Sequence, residues 1–236
     1  MQDALPRMSY LSRLAFLRDR TRGRAVLHLG CSSGRCIQDR LDRNSLLHGF
    51  LSEETSELYG LDIDPGSLSR MRDGGFANLY EADVESLEKL ELNKQFDLVL
   101  AGDILEHLSR PGSMLDGVKR FLRQNGELVI STNNAFGFHY QLRRWMGRYT
   151  EHFQHVCFFS PETLLHLLER HGYRVREMYG AYTEPPHTWK QKLEFALGKP
   201  LFKLAPVLAG TLIVVAALKS ESNDAEPEIA SAHDGR

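Results

Sequence analysis

The sequence predicts an α/β fold built on a doubly wound parallel sheet with helices on both faces. Three observations carry that reading. Short apolar runs alternate with helical patterns along the chain, the runs are apolar nearly throughout, and successive runs end in small or acidic residues. A strand without a polar face is buried on both sides, which calls for helices above and below it and hence for parallel pairing. A chain of 236 residues can bury a full core in one domain.

The elements follow in order. Leu5, Met8, Leu11, Leu14, Ala15 and Leu17 recur at three- and four-residue steps, which predicts an N-terminal helix within residues 1–23. Strands are expected at Ala25–Leu29, Leu58–Asp62, Ala77–Glu81, Phe96–Ala101 and Glu127–Ser131. Helices are expected between them near Arg35–Leu41, Gly66–Arg72, Ser86–Leu90 and Ser113–Arg123. The rhythm then changes. Ala135 to Thr150 reads as an aromatic and basic lid helix inside a lid region, 135–159. Ser160-Pro161-Glu162-Thr163 opens a helix to His171, with a serine cap, proline at the first helical position and an acid in the first turn. Two last strands, Arg174–Tyr182 and Thr211–Leu218, flank a helical stretch through Trp189–Leu197.

The stretch Leu201–Leu218 is apolar, but Lys203, Pro206 and Gly210 interrupt it. Its unbroken part is far short of the roughly 20 residues of a membrane-spanning helix, so a buried strand is expected there. Residues 220–236 are rich in Ser, Asp, Glu and Ala, which predicts a disordered tail after a domain over 1–219. Arg7, Arg13 and Arg18 break any secretion signal. The odd number of cysteines (Cys31, Cys36 and Cys157, with no CxxC pair) argues for a reducing, cytoplasmic setting. With a net charge of −2, the molecule as a whole has no pull toward nucleic acid or anionic membrane. Oligomeric state is not legible.

The first strand runs into Gly30-Cys31-Ser32-Ser33-Gly34. Small residues there let backbone groups approach a ligand, and strand tips at a switch point are where open α/β sheets bind. Taken alone, this is equally a tight turn. The second strand ends at Asp62-Ile63-Asp64-Pro65: Asp64 before proline suits a helix cap, leaving Asp62 to accept the hydroxyls of a ribose. The third ends at Ala82-Asp83-Val84, where Asp83 either caps a turn or meets an adenine edge. Three such tips in succession would line one crevice.

VLHLGCSSG, LYGLDIDP, YEADVESL and FDLVLAGDILEHL together resemble the motifs of class I S-adenosylmethionine-dependent methyltransferases, in particular a branch with an LEH turn and a later HVxxFS stretch. The likeness runs from about Arg24 to Leu218. It implies a seven-stranded Rossmann-like sheet whose last strand inserts antiparallel beside the fifth, and S-adenosylmethionine as cofactor, with S-adenosylhomocysteine as product. Gly30, Ser32 and Gly34, with His28 and Gly102 nearby, would face its methionine part. Asp62 would hold the ribose, Ile63 the adenine face, and Asp83 and Val84 the adenine edge. Two positions depart from the family, which usually has an acid at His28 and a glycine at Ser32. A nicotinamide-binding domain fits poorly: it wants glycine at Ser32 and Arg35, and an acid about 20 residues on, nearer than Asp62.

Methyl transfer to oxygen benefits from a base, and imidazole titrates in the useful range. His107, in Asp103-Ile104-Leu105-Glu106-His107 after the fourth strand, is the first candidate, with Glu106; a purely structural LEH turn is the competing reading. The resemblance places His155 at the active site, whereas His152 matches nothing. Asp103, Glu106, His107 and His155 also resemble the divalent-metal set of small-RNA 2′-O-methyltransferases. The lid's Arg143, Arg144 and Arg148 lie among Phe136, Phe138, Tyr140 and Trp145, either clamping an anionic acceptor or covering the cofactor with solvated arginines outside. The expected reaction is methyl transfer to an oxygen, or less readily a nitrogen, of a small molecule or saccharide. The alternatives are metal-assisted RNA 2′-O-methylation and a non-catalytic binding module. Arg43 to Glu57 is an insertion with no role legible in the sequence.

Overall fold

The computed structural model describes residues 5–148, 154–182 and 199–219. Its eight strands are β1 (Ser9–Ser12), β2 (Ala25–Leu29), β3 (Glu57–Asp62), β4 (Leu79–Glu81), β5 (Phe96–Gly102), β6 (Leu122–Asn133), β7 (Tyr173–Tyr182) and β8 (Thr211–Leu218). They form one sheet in the order β1-β7-β8-β6-β5-β2-β3-β4. Strand β2 lies between β3 and β5, parallel to both, and the order turns back on itself there. Strand β8 inserts antiparallel between β6 and β7, as the resemblance implied.

One strand was not expected. The N-terminal apolar run divides into β1, parallel to β7, and helix α1 (Arg13–Thr21), so the helix forecast over residues 1–23 is corrected and the sheet has eight strands, not seven. Residues 9–12 can join the open edge of β7, and Tyr10 packs there against Tyr182 and Phe202 with ring centres 5.7 and 5.3 Å away. Edge pairing of this kind overrides a periodicity that suits a helix equally well. Ser12, at the junction, accepts the Ala15 amide and caps α1.

Further helices are α2 (Ile37–Asp42), α3 (Leu47–Ser52), α4 (Pro65–Asp73), α5 (Pro111–Val118), α6 (Phe138–Trp145) and α7 (Pro161–Arg170), and residues 199–204 are helical as well. Alternate residues of the central strands feed two cores. Leu27, Leu29, Val99 and Ile130 meet Met114 and Leu115 of α5 and Leu164 and Leu168 of α7. Val26, Leu98, Leu100 and Val129 meet Leu17 of α1 and Leu51 of α3. Strand β2 is buried at every position, and β8 at all but its last, which accounts for their unbroken apolar sequence. No helix among the described residues is long and apolar enough to cross a membrane. The expected helix at Trp189–Leu197 and the tail 220–236 lie outside the described residues.

Candidate functional site

The carboxyl ends of β2, β3, β4 and β5 bring the expected cofactor residues to one edge of the sheet. Gly30 has φ +65°, and a Cβ placed there would lie 2.7 Å from Ile104 Cδ1; Gly34 has φ +50° and open space beside it. Both conformations favour glycine. The loop between them is tied to the next strand tip by Asp62, whose two oxygens accept the Ser32 amide at 2.8 Å and the Asp64 amide at 3.1 Å. A carboxylate has about four lone-pair sites, so those bonds leave acceptor capacity on both oxygens. Asp64 caps α4 by accepting the Gly66 amide, and the Ser67 hydroxyl beside it draws its pKa down. Ile63 is 68% exposed at the tip of β3, an apolar surface placed where a flat base could cover it. Asp83 accepts the Glu85 amide at 2.8 Å, so its capping role is real, and only one oxygen is used. Val84 is buried behind it.

At the other end of this row, Gly102 closes β5. A Cβ there would lie 3.1 Å from Arg13 Nη2 and 3.7 Å from His28 Nε2. Arg13 binds the Asp103 carboxylate at 2.9 Å, while its buried Nε has no partner. Asp103 holds a left-handed φ of +50°, fixed by that ion pair, by the Ser131 hydroxyl at 2.9 Å and by its own amide on the Ser131 carbonyl. Strained backbone held from several sides is common at working sites.

His28 is buried and meets a residue the sequence did not single out. His48 of α3 stacks on it with ring centres 5.5 Å apart, and the two Nδ1 atoms are 3.3 Å apart. Burial pushes both pKa values down, His28 well below the usual range and His48 to about 4. The stretch 43–57 therefore has a structural role: it supplies α3 and, in His48, a partner for the His28 imidazole.

The LEH turn follows Asp103. Glu106, His107 and His155 offer ligand atoms that all lie within 4.8 Å of one another, and the two imidazoles meet edge to face at 4.8 Å. Glu106 is 2% exposed; its Oε2 accepts the Thr132 hydroxyl at 2.8 Å and its Oε1 has no partner. Desolvation and the nearby Asp103 raise its pKa. The Glu106 carbonyl accepts the amides of Val156 and Cys157, which draws the segment carrying His155 onto the turn. His107 Nδ1 lies 3.2 Å from the Gln154 carbonyl. A carbonyl only accepts, so Nδ1 is the donor in that contact, and Nε2 of a neutral imidazole is then the ring's acceptor atom. Asp103 does not join this cluster: its carboxylate is engaged by Arg13 and Ser131.

A cavity of about 340 Å³ lies between α6 and the end of β6, lined among others by Asn133, Phe136, Tyr140, Gln141, Arg144 and Phe158. Not all the lid aromatics turn inward: Phe136, Phe138 and Trp145 are exposed. His152 lies outside the described residues. Arg13 and His48 are what sequence reasoning missed. Arg13 was read only as a charge that interrupts a secretion signal, and His48 had no motif around it.

Comparison with known proteins identifies the family. A family model described as methyltransferase domain matches residues 4–178. The ubiquinone biosynthesis O-methyltransferase of Azorhizobium caulinodans is 26% identical over 200 residues, covering 77% of this chain and 73% of that protein. A SAM dependent methyltransferase from Archaeoglobus fulgidus is similar in structure with a TM-score of 0.53 at 20% identity, over 86% of this chain and 91% of that one. The 1,6-didemethyltoxoflavin-N1-methyltransferase of Burkholderia thailandensis, with 1,6-didemethyltoxoflavin and S-adenosylhomocysteine bound, gives a TM-score of 0.55 at 16% identity, over 88% and 76%. The family match takes in every strand tip described above, and the chain belongs to the methyltransferase domain family as a class I S-adenosylmethionine-dependent enzyme.

Proposed function

We propose that this methyltransferase acts on an oxygen of a small-molecule or saccharide acceptor, with His107 as base and Glu106 and His155 beside it. The supporting observation is the convergence of those three side chains on the sheet edge that also carries the glycine loop. When bound, S-adenosylmethionine supplies a methyl group on a sulfonium, an electrophile that needs little beyond an aligned nucleophile and exclusion of water. The chain's own residues supply the rest. Gly30, Ser32 and Gly34 would receive the methionine part through backbone groups, and Arg13 beside Gly102 would meet its carboxylate. Asp62 would accept the ribose hydroxyls, and Ile63, Asp83 and Val84 would frame the adenine. His107 Nε2 would take the acceptor's hydroxyl proton as its oxygen attacks, while the Gln154 carbonyl holds the ring in that tautomer. The cavity under α6 offers room for the acceptor. The Azorhizobium relative is named an O-methyltransferase, which favours oxygen over nitrogen.

The metal-assisted RNA reading keeps one observation in its favour, the buried and unpartnered Glu106 Oε1 beside two imidazoles, which could hold a divalent ion. It loses Asp103 from its ligand set. The non-catalytic reading rested on His28 and Ser32. Against it, His28 is held by His48, and Ser32 keeps its amide on Asp62, which ties the glycine loop to the next strand tip.

One set of measurements tests the proposal. Asp62→Ala should abolish S-adenosylhomocysteine binding by calorimetry while leaving the far-ultraviolet circular dichroism unchanged. His107→Ala should keep that binding and lower methyl transfer to a responsive hydroxylated acceptor by about a hundredfold or more. Unchanged transfer would remove His107 from the reaction. Transfer confined to short RNA and lost on chelation would replace this reading with the metal-assisted one.

A further inference from the structure

Helix α6 is amphipathic the wrong way round for a helix that packs on a core. Phe138, Leu142 and Trp145 stand at i, i+4 and i+7, one stripe of the helix, with Met146 at its C-cap, and they are 40%, 41%, 79% and 51% exposed. None of its residues is buried. Tyr140, on the opposite side, and Gln141, at the edge of the stripe, hold the helix down: Tyr140 Oη donates to Asn133 Oδ1 at 3.2 Å, and Gln141 Nε2 donates to the Ala135 carbonyl at 2.6 Å. The apolar stripe is thus held outward.

A second apolar segment stands next to it. Asn134 Nδ2 donates to the carbonyls of Val207 and Ala209, both at 2.7 Å, which ties the chain just before β8 to the base of α6. Leu204 on that segment is 87% exposed. The charges on the two segments have one sign. Residues 134–148 carry Arg143, Arg144 and Arg148, residues 199–210 carry Lys199 and Lys203, and neither stretch contains an Asp or Glu. The whole chain is at −2, so the positive charge is local to this end and the remainder of the molecule is acidic.

We propose that this end of the molecule docks on an anionic lipid surface, with the α6 stripe and Leu204 entering the headgroup boundary and Arg143, Arg148 and Lys203 on the lipid phosphates. Exposed aromatic and leucine side chains flanked by cations are what an interfacial helix presents. A second copy of the chain is a poorer occupant, because it would set one cationic face against another. An RNA is poorer too, since the most exposed part of the patch is an aliphatic and aromatic ridge and not a polar groove. The helix is short, so binding should be reversible and should weaken with salt. The proposal does not depend on which atom is methylated.

The test uses the full chain and vesicles of phosphatidylcholine with or without phosphatidylglycerol. In a Trp189→Phe background, Trp145 emission should shift to the blue, and the protein should co-float, only with the anionic vesicles. Leu142→Ser/Trp145→Ser should lower the partition coefficient at least tenfold, and Arg143→Gln/Arg148→Gln should remove the preference for phosphatidylglycerol. Circular dichroism and S-adenosylhomocysteine binding should be unchanged in both. Equal flotation of wild type and the serine variant would overturn the proposal. So would a wild-type dimer in sedimentation equilibrium that the serine variant abolishes, or RNA binding on the same face with no vesicle binding.

Discussion

A methyl group added at position 30 would meet two separate penalties. The φ of +65° costs an L-residue about 1–2 kcal/mol, and the new Cβ would stand 2.7 Å from Ile104 Cδ1. Ile104 ends in a movable methyl, so the second penalty can be relieved and the first cannot. Gly30→Ala should therefore lower stability by about 2 kcal/mol in urea titration. Adding Ile104→Val should return the packing part and leave the backbone part. Full recovery in the double variant would show that φ at this position is unstrained. At this scale the sequence was informative wherever a backbone constraint decides the residue: Gly30 and Gly34 were legible, and Asp64 before proline was legible as a cap. It was silent where the partner is distant. Nothing in the local sequence of His48 announces that it will stack on His28, and nothing around Arg13 announces Asp103. Glu106, His107 and His155 were grouped in advance only through a resemblance to known enzymes, and the carbonyl of Glu106 is what draws the distant His155 onto the turn.

Among the elements, α7 carries its start signal in four residues. Ser160 Oγ accepts the Thr163 amide at 3.2 Å, and Thr163 Oγ1 accepts the Ser160 amide at 2.8 Å, a reciprocal box with Pro161 at the first helical position. Ser160→Ala should cost about 1 kcal/mol, and Thr163→Ala a similar amount. Because both belong to one box, the double variant should lose less than the sum. Strict additivity in denaturant midpoints would mean that the two caps act independently. Helices and strands with such local marks were read nearly to the residue; β2 and β8 fall where the apolar runs placed them. Strand β1 was misread because a short run spaced at three and four residues satisfies a helix until an open sheet edge competes for it. Helix α6 was found, but which side of it faces the protein was not, since that depends on Asn133 and Ala135 beneath it.

At the scale of the whole molecule, the buried pair His28 and His48 sets how stability should depend on pH. An unfolded histidine gains its proton near pH 6.5, whereas in the fold burial holds both imidazoles neutral well below that, with the neighbouring Arg13 opposing a charge on His28. The unfolded chain therefore binds more protons as the solution is acidified, so this part of the stability is complete above about pH 6.5 and is lost as pH falls toward the folded values. For His48 alone, a depression from 6.5 to about 4 corresponds to about 3 kcal/mol, and His28 acts in the same direction. The carboxylates whose pKa values are lowered, Asp64, Asp97, Asp116 and Glu127, keep their contribution through this range and lose it only below the ordinary carboxylate region. Between about pH 6.5 and about pH 4.5 the histidines act against Glu106, whose raised pKa lets the fold take up a proton as the pH falls, so their share is read from a variant that removes one of them. His48→Gln removes one titrating ring and retains a group able to hydrogen bond to His28, so its melting temperature should fall less steeply than that of the wild type across that interval. The two curves should keep a constant separation above pH 7. If they run parallel at every pH, the acid sensitivity arises elsewhere, and α3 is then only packing over β2.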